Sequence, residues 1–448
     1  MKNFFFKGDK FHPFKTKGTL KEWQENIAKF AEGNSRLILC MGAAFATPLL
    51  QIIGAENIGF HFQGRSKTGK STLMICVASI YGNPKEYILK WRSTDNGLEA
   101  VASTRNDVLL VIDELGQADG DKLGNLIYML ESGKGKNRAN TNADMRTTKK
   151  WRTVFISTGE MTLADKINED SKGKKVRAGM EARFINIAAE VDSTNGVYEN
   201  LHGFPNQPTL SKHIVESSSK FYGSAIVEYL TKITNDLEYA KEFILENIDK
   251  FKKDLCMEKV DGQVLHVANY FAIVASAGEL AIKLGVLNLT QNSANIHCEK
   301  IFKNWVNEKG GTESFEETEA INQVRKFLQL HASSRFINSK NQLPSTVSNQ
   351  CGYFLSSTDN TTSNNKLDNK FLFYPEVFRD EVCRGLNHKI VLNTLLKHNF
   401  LIPGEIQPNG KYRLDRKEKV PFSGKYQRFY VISEKLKGEY SDAALPED

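Results

Sequence analysis

The feature that most constrains this 448-residue chain is the stretch GRSKTGKS at residues 64–71. It fits the pattern G-x-x-x-x-G-K-[ST] at every fixed position, after a strand-like segment (57–64) and before a segment of helical periodicity (71–82). A loop of small residues between a strand and a helix lets many backbone N–H groups approach a phosphate chain, and the helix adds the positive end of its dipole. The stretch therefore predicts a phosphate-binding loop.

The positions of this loop have distinct expected roles. Lys70 is expected to reach the β- and γ-phosphates of a nucleotide, and the hydroxyl of Ser71, with Thr72 beside it, is expected to ligate Mg²⁺. The positions expected to surround the phosphates are Gly64, Ser66, Lys67, Thr68 and Gly69. The alternative is a chance match in a flexible basic loop, which the flanking strand and helix disfavour.

Hydrolysis of a bound nucleotide needs a metal-ordering carboxylate and a group that orients water. The apolar run DVLLVIDEL (107–115) has the composition of a strand buried on both faces and ends in both groups. Asp113 is expected to hold Mg²⁺ through water, and Glu114 to polarise the attacking water; the alternative is an Asp-Glu helix cap. The predicted α/β core contains no N-K-x-D guanine-reading motif, so ATP with Mg²⁺ is the expected cofactor.

Two later segments supply further candidates for the same chemistry. The strand-like run TVFIS ends in Ser157 and Thr158, either of which would place a hydroxyl near the γ-phosphate; the alternative is a turn closed by these hydroxyls. The segment 173–187 brings Arg183 and Arg177 to a loop before the next strand. Arginine suits the charge that develops on a transferring phosphoryl group. Arg183 is the first candidate for such a finger between subunits and Arg177 the second; either is alternatively a solvated surface residue.

The order of segments predicts an α/β fold. Strand-like runs alternate with helical ones through the middle of the chain, and the last of them is RFINIAAE (183–190). The predicted parts are a helical N-terminal segment (1–55), an ATPase core (56–195), a helical region (196–310) and a C-terminal domain (311–448). In the last part, a helix, a short strand and a basic hairpin containing Asn-Gly follow one another, an order that predicts a winged helix.

The composition limits the class of protein and the cellular compartment that we expect. The chain is 40% hydrophobic and 25% charged, a balance typical of soluble globular proteins. The most apolar stretch, 263–285, contains Glu279 and Lys283, which favours a buried helix over a membrane span. The six cysteines include no C-x-x-C pair, so neither a zinc site nor a disulfide framework is indicated, and a cytoplasmic setting is expected.

A basic segment lies between the predicted metal-binding strand and the next strand. Residues 131–152 hold seven basic side chains against two acidic ones, with Asn140-Thr141-Asn142 in the middle, which suits a hairpin turn. The basic residues are Lys134, Lys136, Arg138, Arg146, Lys149, Lys150 and Arg152. A hairpin here would carry them along a phosphate backbone, and the alternative is a solvated charged loop.

Two other stretches have open interpretations. In WRSTDNGLEAVAST (91–104), Thr94, Asn96 and Glu99 would face the channel of a ring, or Asn96-Gly97 is only a turn. Residues 408–437 hold nine basic side chains against three acidic ones, with aromatic residues between them. This stretch is either an additional DNA contact or a surface that binds protein.

Taken together, the motifs resemble a known family. The order GFHFQGRSKTGKST, WRSTDNGLEA, LLVIDEL, IYMLESGKGKNR, WRTVFISTGE and AGMEARFINI is similar to domain-of-unknown-function family 927, found in replication proteins of phages, pathogenicity islands and cassette elements. The resemblance implies an AAA+-type ring helicase in the style of superfamily-3 and minichromosome-maintenance helicases. It also implies that Lys70, Ser71, Asp113 and Glu114 are the ATPase residues and that Arg183 is the trans-acting finger.

The expected protein is therefore an ATP-dependent DNA helicase that forms a homo-hexamer and acts on single-stranded or forked DNA, with a primase or polymerase as candidate partner. Two alternatives stay open at this point. One is an oligomeric ATPase that loads or remodels other replication proteins without unwinding DNA. The other is a defence ATPase for which DNA is only the trigger.

Overall fold

The computed structural model describes residues 12–136, 148–170, 178–192, 194–255, 260–309, 315–340, 347–356, 369–407 and 410–438. The chain divides into two compact units, residues 1–312 and 313–448. Each unit combines helices with a β-sheet, so the predicted α/β class is confirmed.

The first unit begins with helices α1 (Leu20–Asn26) and α2 (Ser35–Ala46). Thr19 starts α1 by accepting from the backbone N–H of Glu22, whose side chain accepts in return from the backbone N–H of Thr19. Gly33-Asn34 separates α1 from α2, and Gly33 has a positive φ of +73° that a side chain would disfavour. Every residue of α2 is buried.

A five-stranded parallel sheet follows, with strand order β2-β3-β4-β1-β5. The strands are β1 (Ile58–Gln63), β2 (Leu89–Lys90), β3 (Leu110–Asp113), β4 (Val154–Gly159) and β5 (Phe184–Ala188). Alternate side chains of this sheet enter two separate cores, with Val111 in one and Ile112 in the other. Because all strands run the same way, the loops after β1, β3 and β4 meet at one edge of the sheet.

Helices connect the strands and complete the first unit. Those within the sheet region are α3 (Lys70–Ala78), α4 (Pro84–Tyr87), α5 (Asp95–Thr104), α6 (Gly120–Ser132), α7 (Leu163–Asp170) and α8 (Ala178–Glu181). Those after it are α9 (Gln207–Ser218), α10 (Ser224–Asn235), α11 (Leu237–Asp254), α12 (Gly262–Lys283) and α13 (Ser293–Lys309). The long helix α12 packs against α2, α11 and α13. Among the described helices it alone has the length and composition to cross a membrane, but 78% of its most apolar window is buried in the protein.

The second unit is a helix-covered sheet with strand order β10-β11-β8-β7-β6 and with β9 beside β11. Its elements are α14 (Phe315–His331), β6 (Phe336–Asn338), β7 (Gly352–Leu355), β8 (Lys370–Phe373), α15 (Pro375–Val377), α16 (His388–Lys397), β9 (Leu401–Ile402), β10 (Arg416–Lys419) and β11 (Tyr426–Ser433). One face of β11 joins a core with α14 and α16 through Tyr430 and Ile432. The other face carries Phe429 and Val431 in a smaller cluster.

Two local expectations change in the structure. Asn96-Gly97 is not a turn: both residues lie in the first turn of α5, and the Thr94 hydroxyl accepts from the backbone N–H of Gly97. Glu99 is buried rather than facing a channel. In place of the one expected C-terminal hairpin there are two antiparallel pairings. The first is a single bridge between Ile406 and Tyr412, and the second is the longer pair formed by β10 and β11.

Candidate nucleotide-binding site

The loop between β1 and α3 requires glycine at position 69. Gly69 precedes α3 with a φ of +99°, and a Cβ atom there would lie 2.7 Å from Cγ2 of Val197. The backbone N–H of Val197 donates to the carbonyl of Thr68 at 2.9 Å, which fixes the loop against the chain that follows β5. The geometry of the loop therefore depends on glycine at 69 for both its backbone angle and its space.

Lys70 folds back into this loop. Its Nζ atom donates to the carbonyl oxygens of Gly64 at 2.7 Å and of Arg65 at 2.6 Å. Burial lowers the pKa of Lys70, and the nearby carboxylates of Glu160 and Glu190 oppose that shift. The ammonium group is thus held at the start of the loop, on the path that a bound phosphate chain would follow.

Arg65 serves a different role from the rest of the loop. Its guanidinium forms an ion pair with Glu190, with 2.5 Å between Nη2 and Oε2, and its backbone N–H donates to the same carboxylate at 2.9 Å. These hydrogen bonds lower the pKa of Glu190. Arg65 therefore ties the loop to the residue that follows β5 and does not enter the pocket.

The carboxylates at the end of β3 are held by a lysine. Nζ of Lys90, on the neighbouring strand β2, lies 2.7 Å from Oδ2 of Asp113 and 3.1 Å from Oε2 of Glu114. Burial lowers the pKa of Lys90, but its hydrogen bonds to both carboxylates outweigh burial and raise it. Glu114 has a left-handed backbone, with φ +63°, and also accepts from the side chain of Gln117. One ammonium group thus lies where a divalent cation would neutralise the same pair.

The structure separates the two hydroxyl candidates on β4. Thr158 donates to Oδ1 of Asp113 and lines the pocket. Ser157 is fully buried on the opposite side of the strand and does not line the pocket. Its hydroxyl oxygen accepts from Nε1 of Trp91 at 2.8 Å and lies 3.0 Å from Nδ1 of His61. Of the two hydroxyls, that of Thr158 is therefore the one that faces the pocket.

His61 extends this buried chain of hydrogen bonds to the pocket. Its Nε2 lies 3.0 Å from the carbonyl oxygen of Met161, a pocket-lining residue. A carbonyl only accepts, so Nε2 carries the proton and Nδ1 accepts from the Ser157 hydroxyl. Complete burial lowers the pKa of His61 to about 4, which keeps the ring neutral.

These elements enclose a pocket of about 440 Å³ at the carboxyl edge of the sheet. It is lined by residues 66–72 of the loop, by Asp113, Glu114, Gly116 and Gln117, by residues 158–161, and by Gln207 and Ser211 of α9. The pocket brings together the loop, both carboxylates and Thr158. It is of the size that small-molecule sites occupy in proteins.

Three residues at the pocket were not expected from the sequence: Lys90, which binds two of the lining carboxylates, and Gln207 and Ser211, which line the pocket themselves. Lys90 lies on a two-residue strand, too short for a periodic signal, although its charge beside an apolar run was a usable hint. Gln207 and Ser211 follow the loop by more than 130 residues, and only the packing of α9 on α3 brings them to it. No local pattern identifies such residues.

The residues present suit the Mg²⁺ that this chemistry requires. The Ser71 hydroxyl and the Asp113 carboxylate line one pocket, and both are hard oxygen donors of the kind that Mg²⁺ prefers. Such a site takes few protein ligands because substrate phosphates and water supply the rest.

Arg183 lies at the other end of the sheet. It directly precedes β5, whose last residue Ala188 pairs with Gln63 next to the loop. Its side chain is about one-third exposed (36%), with Nε 3.2 Å from Oε2 of Glu131 and the guanidinium 5.5 Å from the ring centre of Tyr128. The length of β5 separates it from the pocket of its own chain by roughly 15 Å. Arg177, the second candidate, lies outside the described residues.

The two described ends of the basic segment are paired with each other. Lys134 and Lys150 form an antiparallel bridge, and the backbone N–H of Gly135 donates to the carbonyl of Lys149 at 2.9 Å. Lys136 is bound to Asp95 of α5 at 2.8 Å. The side chains of Lys134, Lys136, Lys149 and Lys150 are all exposed. Arg138, Arg146 and the expected turn at 140–142 lie outside the described residues.

Comparison with known proteins supports the resemblance drawn from the motifs. Residues 3–150 match the model of the family "Domain of unknown function (DUF927)". The resemblance is confirmed for this part of the chain. A solved structure described as "SCCmec type IV Cch - active helicase" has a similar fold, with a TM-score of 0.66 and 20% identity; the match covers 95% of this chain and 73% of that one. A search of curated proteins found no significant match.

Proposed function

We propose that this protein is an AAA+-type, ATP-dependent DNA helicase that assembles into a ring and drives replication of a phage or another mobile element. The observation that carries the proposal is the single pocket edge shared by Lys70, the Asp113–Glu114 pair and Thr158. A phosphate-binding loop alone only binds, whereas this set combines phosphate binding with groups that activate water. The DUF927 match and the helicase-like fold support the same function.

In this proposal each pocket residue has one task in ATP hydrolysis. The backbone of the loop and the Lys70 ammonium hold the β- and γ-phosphates, while Ser71 and Asp113 hold Mg²⁺, which neutralises phosphate charge when bound. Glu114 orients and deprotonates the attacking water. Thr158 keeps the Asp113 carboxylate in place. Lys90 must release both carboxylates before they can act.

The proposal assigns Arg183 to the pocket of a neighbouring subunit. Its distance from its own pocket excludes a role there, whereas a ring of head-to-tail subunits brings one end of the sheet toward the next molecule. An arginine arriving at the γ-phosphate would neutralise charge in the transition state. Its contact with Glu131 would then be exchanged for the phosphate.

DNA is the proposed substrate because the two described ends of the basic segment carry exposed lysines beside the same sheet. An antiparallel bridge between Lys134 and Lys150 joins these ends, which carry four exposed lysines, and the backbone N–H of Trp151 donates to the carbonyl of Gly133. Lysines on a projecting hairpin can follow a phosphate backbone without reading sequence. A homo-hexamer with this hairpin toward its channel is the proposed assembly, and a primase or polymerase is the proposed partner in replication.

The decisive experiment is strand displacement from forked DNA with ATP and Mg²⁺. The wild-type protein is expected to displace the strand, and Lys70→Ala and Glu114→Gln are expected to abolish displacement. Replacing Lys134, Lys149 and Lys150 with alanine should remove DNA stimulation of ATP turnover while ATP binding persists. DNA-stimulated turnover without any displacement would contradict the helicase and favour a loading ATPase.

The choice of ATP is part of the proposal. Residues 365–368 read Asn-Lys-Leu-Asp, the pattern by which GTPases read guanine, but this tetrapeptide lies far from the sheet motifs in sequence and outside the described residues. The preference for ATP is tested by letting ATP and GTP compete for binding to the purified protein. We expect ATP to bind and turn over in preference, and equal or better use of GTP would contradict the assignment.

A further inference from the structure

The hairpin of the second unit carries an exposed face that the nucleotide site does not use. Residues 426–429 of β11 pair with β10, and residues 430–433 pair with β8. The first half of β11 is therefore an extension beyond the part that lies against β8. Tyr426 at its start is 65% exposed, whereas Tyr430 and Ile432 farther along are buried in the core.

The register of the hairpin gathers basic and aromatic side chains on one face. Lys417 pairs with Arg428, and Lys419 pairs with Tyr426. Directly opposed residues of an antiparallel pair point to the same side of the sheet, so all four lie on one face. The ammonium group of Lys417 also lies 5.7 Å from the ring centre of Tyr426. We call these four residues the hairpin face.

Ion pairs divide the positive charges of this region into two groups. The arginines are neutralised by acids: Arg413 binds Asp415 at 2.6 Å, Arg416 binds Glu418 at 3.0 Å, and Arg428 binds Glu405 at 2.9 Å. In contrast, the exposed lysines Lys417, Lys419 and Lys425 have no ion pair with any carboxylate in the described part of the chain. The lysines are thus the charges that remain available to a ligand.

Exposed rings accompany these lysines. Phe422, in the turn between the two strands, is 47% exposed and has a φ of +67°, a left-handed conformation that is uncommon for a bulky residue. Tyr412, which pairs with Ile406 in the smaller antiparallel pairing, is 51% exposed. Aromatic rings held in water beside unpaired lysines are a combination typical of proteins that bind single-stranded nucleic acid.

We propose that the hairpin face and Phe422 bind a single strand of nucleic acid. Lys417 and Lys419 contact phosphates, and bases stack on the rings of Tyr426 and Phe422. An acidic peptide would satisfy the lysines but would leave the ring faces in water, so nucleic acid fits the face better. This site lies in the second unit, needs no ATP, and goes beyond the proposed function, which places DNA at the hairpin of the first unit.

The test measures binding of the full chain to fluorescent oligo(dT) of about 30 nucleotides, long enough for several stacking sites, by anisotropy without nucleotide. Lys417→Glu with Lys419→Glu should lower the affinity about tenfold or more and reduce the slope of log affinity against log salt by about 1.4, as expected for two lost phosphate contacts. Tyr426→Ala should lower the affinity about fivefold or more without changing that slope.

Matched variants separate this site from other sources of binding. Lys250→Glu with Lys252→Glu makes the same charge change on exposed positions of α11 and should leave the affinity within about twofold, because these lysines do not belong to the hairpin face. Lys70→Ala should bind the oligonucleotide as the wild type does, so failure of the ATPase proposal would not affect the outcome. Normal melting temperatures of all variants are required.

Photo-crosslinking gives a second, independent readout. Oligonucleotides that contain 5-bromodeoxyuridine should crosslink to the peptide that holds Phe422 and Tyr426, and the crosslink should disappear in Lys417→Glu with Lys419→Glu. The proposal is overturned if crosslinks fall only in residues 131–153. It is also overturned if the hairpin-face variants bind like the α11 control, or if polyglutamate of equal charge displaces the oligonucleotide as well as unlabelled oligo(dT) does.

Discussion

At the scale of single residues, two side chains next to the pocket hold its carboxylates and its edge in place: the ammonium of Lys90 and the neutral ring of His61. Lys90 forms ion pairs with Asp113 and Glu114, and Nε2–H of His61 donates to the carbonyl oxygen of the pocket-lining Met161. Neither residue belongs to the phosphate-binding pattern. Both nevertheless decide whether the carboxylates and the sheet edge are ready for a nucleotide with its metal ion.

Lys90 is paired with Asp113, the carboxylate proposed to hold Mg²⁺, so its removal should ease metal binding. In Lys90→Met, we expect the Mg²⁺ concentration for half-maximal ATP turnover to fall by about two- to fivefold, a modest change because the ammonium is half exposed. Lys122→Met, which removes an exposed pair with Asp119, is the control and should leave the Mg²⁺ requirement unchanged. A higher Mg²⁺ requirement in Lys90→Met would mean that the lysine assists catalysis instead.

His61 should make the stability of the first unit depend on pH. Its pKa is about 4 in the folded chain and about 6.5 when unfolded, so the unfolded state binds the extra proton first as pH falls. Stability should therefore decrease from pH 6.5 toward pH 4, by roughly 3 kcal/mol at most. Urea unfolding of the wild type and of His61→Gln checks this. The stability gap between them should narrow by roughly 2 kcal/mol from pH 7 to pH 5, and equal losses in both proteins would refute it.

At the scale of elements, the loop between β1 and α3 shows how far sequence reasoning reaches. The pattern at 64–71 located the loop, its strand and its helix because all three are contiguous in the chain. The runs at 107–115 and 151–160 likewise located β3 and β4, since buried parallel strands are nearly all apolar. The side of the sheet on which each side chain lies was not predictable. A shift of one residue decides whether Ser157 or Thr158 contacts Asp113, and a strand that is apolar on both faces gives no sign of which residue it is.

Gly69 tests the loop as an element. Gly69→Ala forces a side chain into a backbone with φ +99° and into contact with Val197, so it should lower the free energy of unfolding by about 1 kcal/mol or more and weaken ATP binding strongly. Gly116→Ala is the matched control, because Gly116 lines the same pocket but a Cβ there meets no atom within 4 Å. Calorimetry with ATP should find near-normal affinity in the control. Similar losses in both variants would indicate that the pocket tolerates no added methyl group, rather than a specific need at 69.

At the scale of the whole molecule, the proposed machine depends on contacts between copies of the chain. The pocket lies at the carboxyl edge of the sheet and Arg183 at the other end, so in the proposed ring one chain supplies the nucleotide site and its neighbour the arginine. A single sequence predicts the two parts separately. It does not contain the distance between them, because that distance follows from the order and direction of the strands.

The most direct test of this account is a mixing experiment. Arg183→Ala retains the pocket but lacks the arginine, and Lys70→Ala lacks a working pocket but retains the arginine, so each variant alone should be inactive in ATP turnover. Co-assembled in equal amounts, they should recover about a quarter of wild-type turnover, since about a quarter of head-to-tail interfaces pair an intact pocket with an intact arginine. Glu131→Gln serves as the control for the arginine's resting contact and should remain active.

The account predicts recovery in the mixture and none in either variant alone. A mixture as inactive as its parts, or an Arg183→Ala variant that hydrolyses ATP at the wild-type rate on its own, would contradict it.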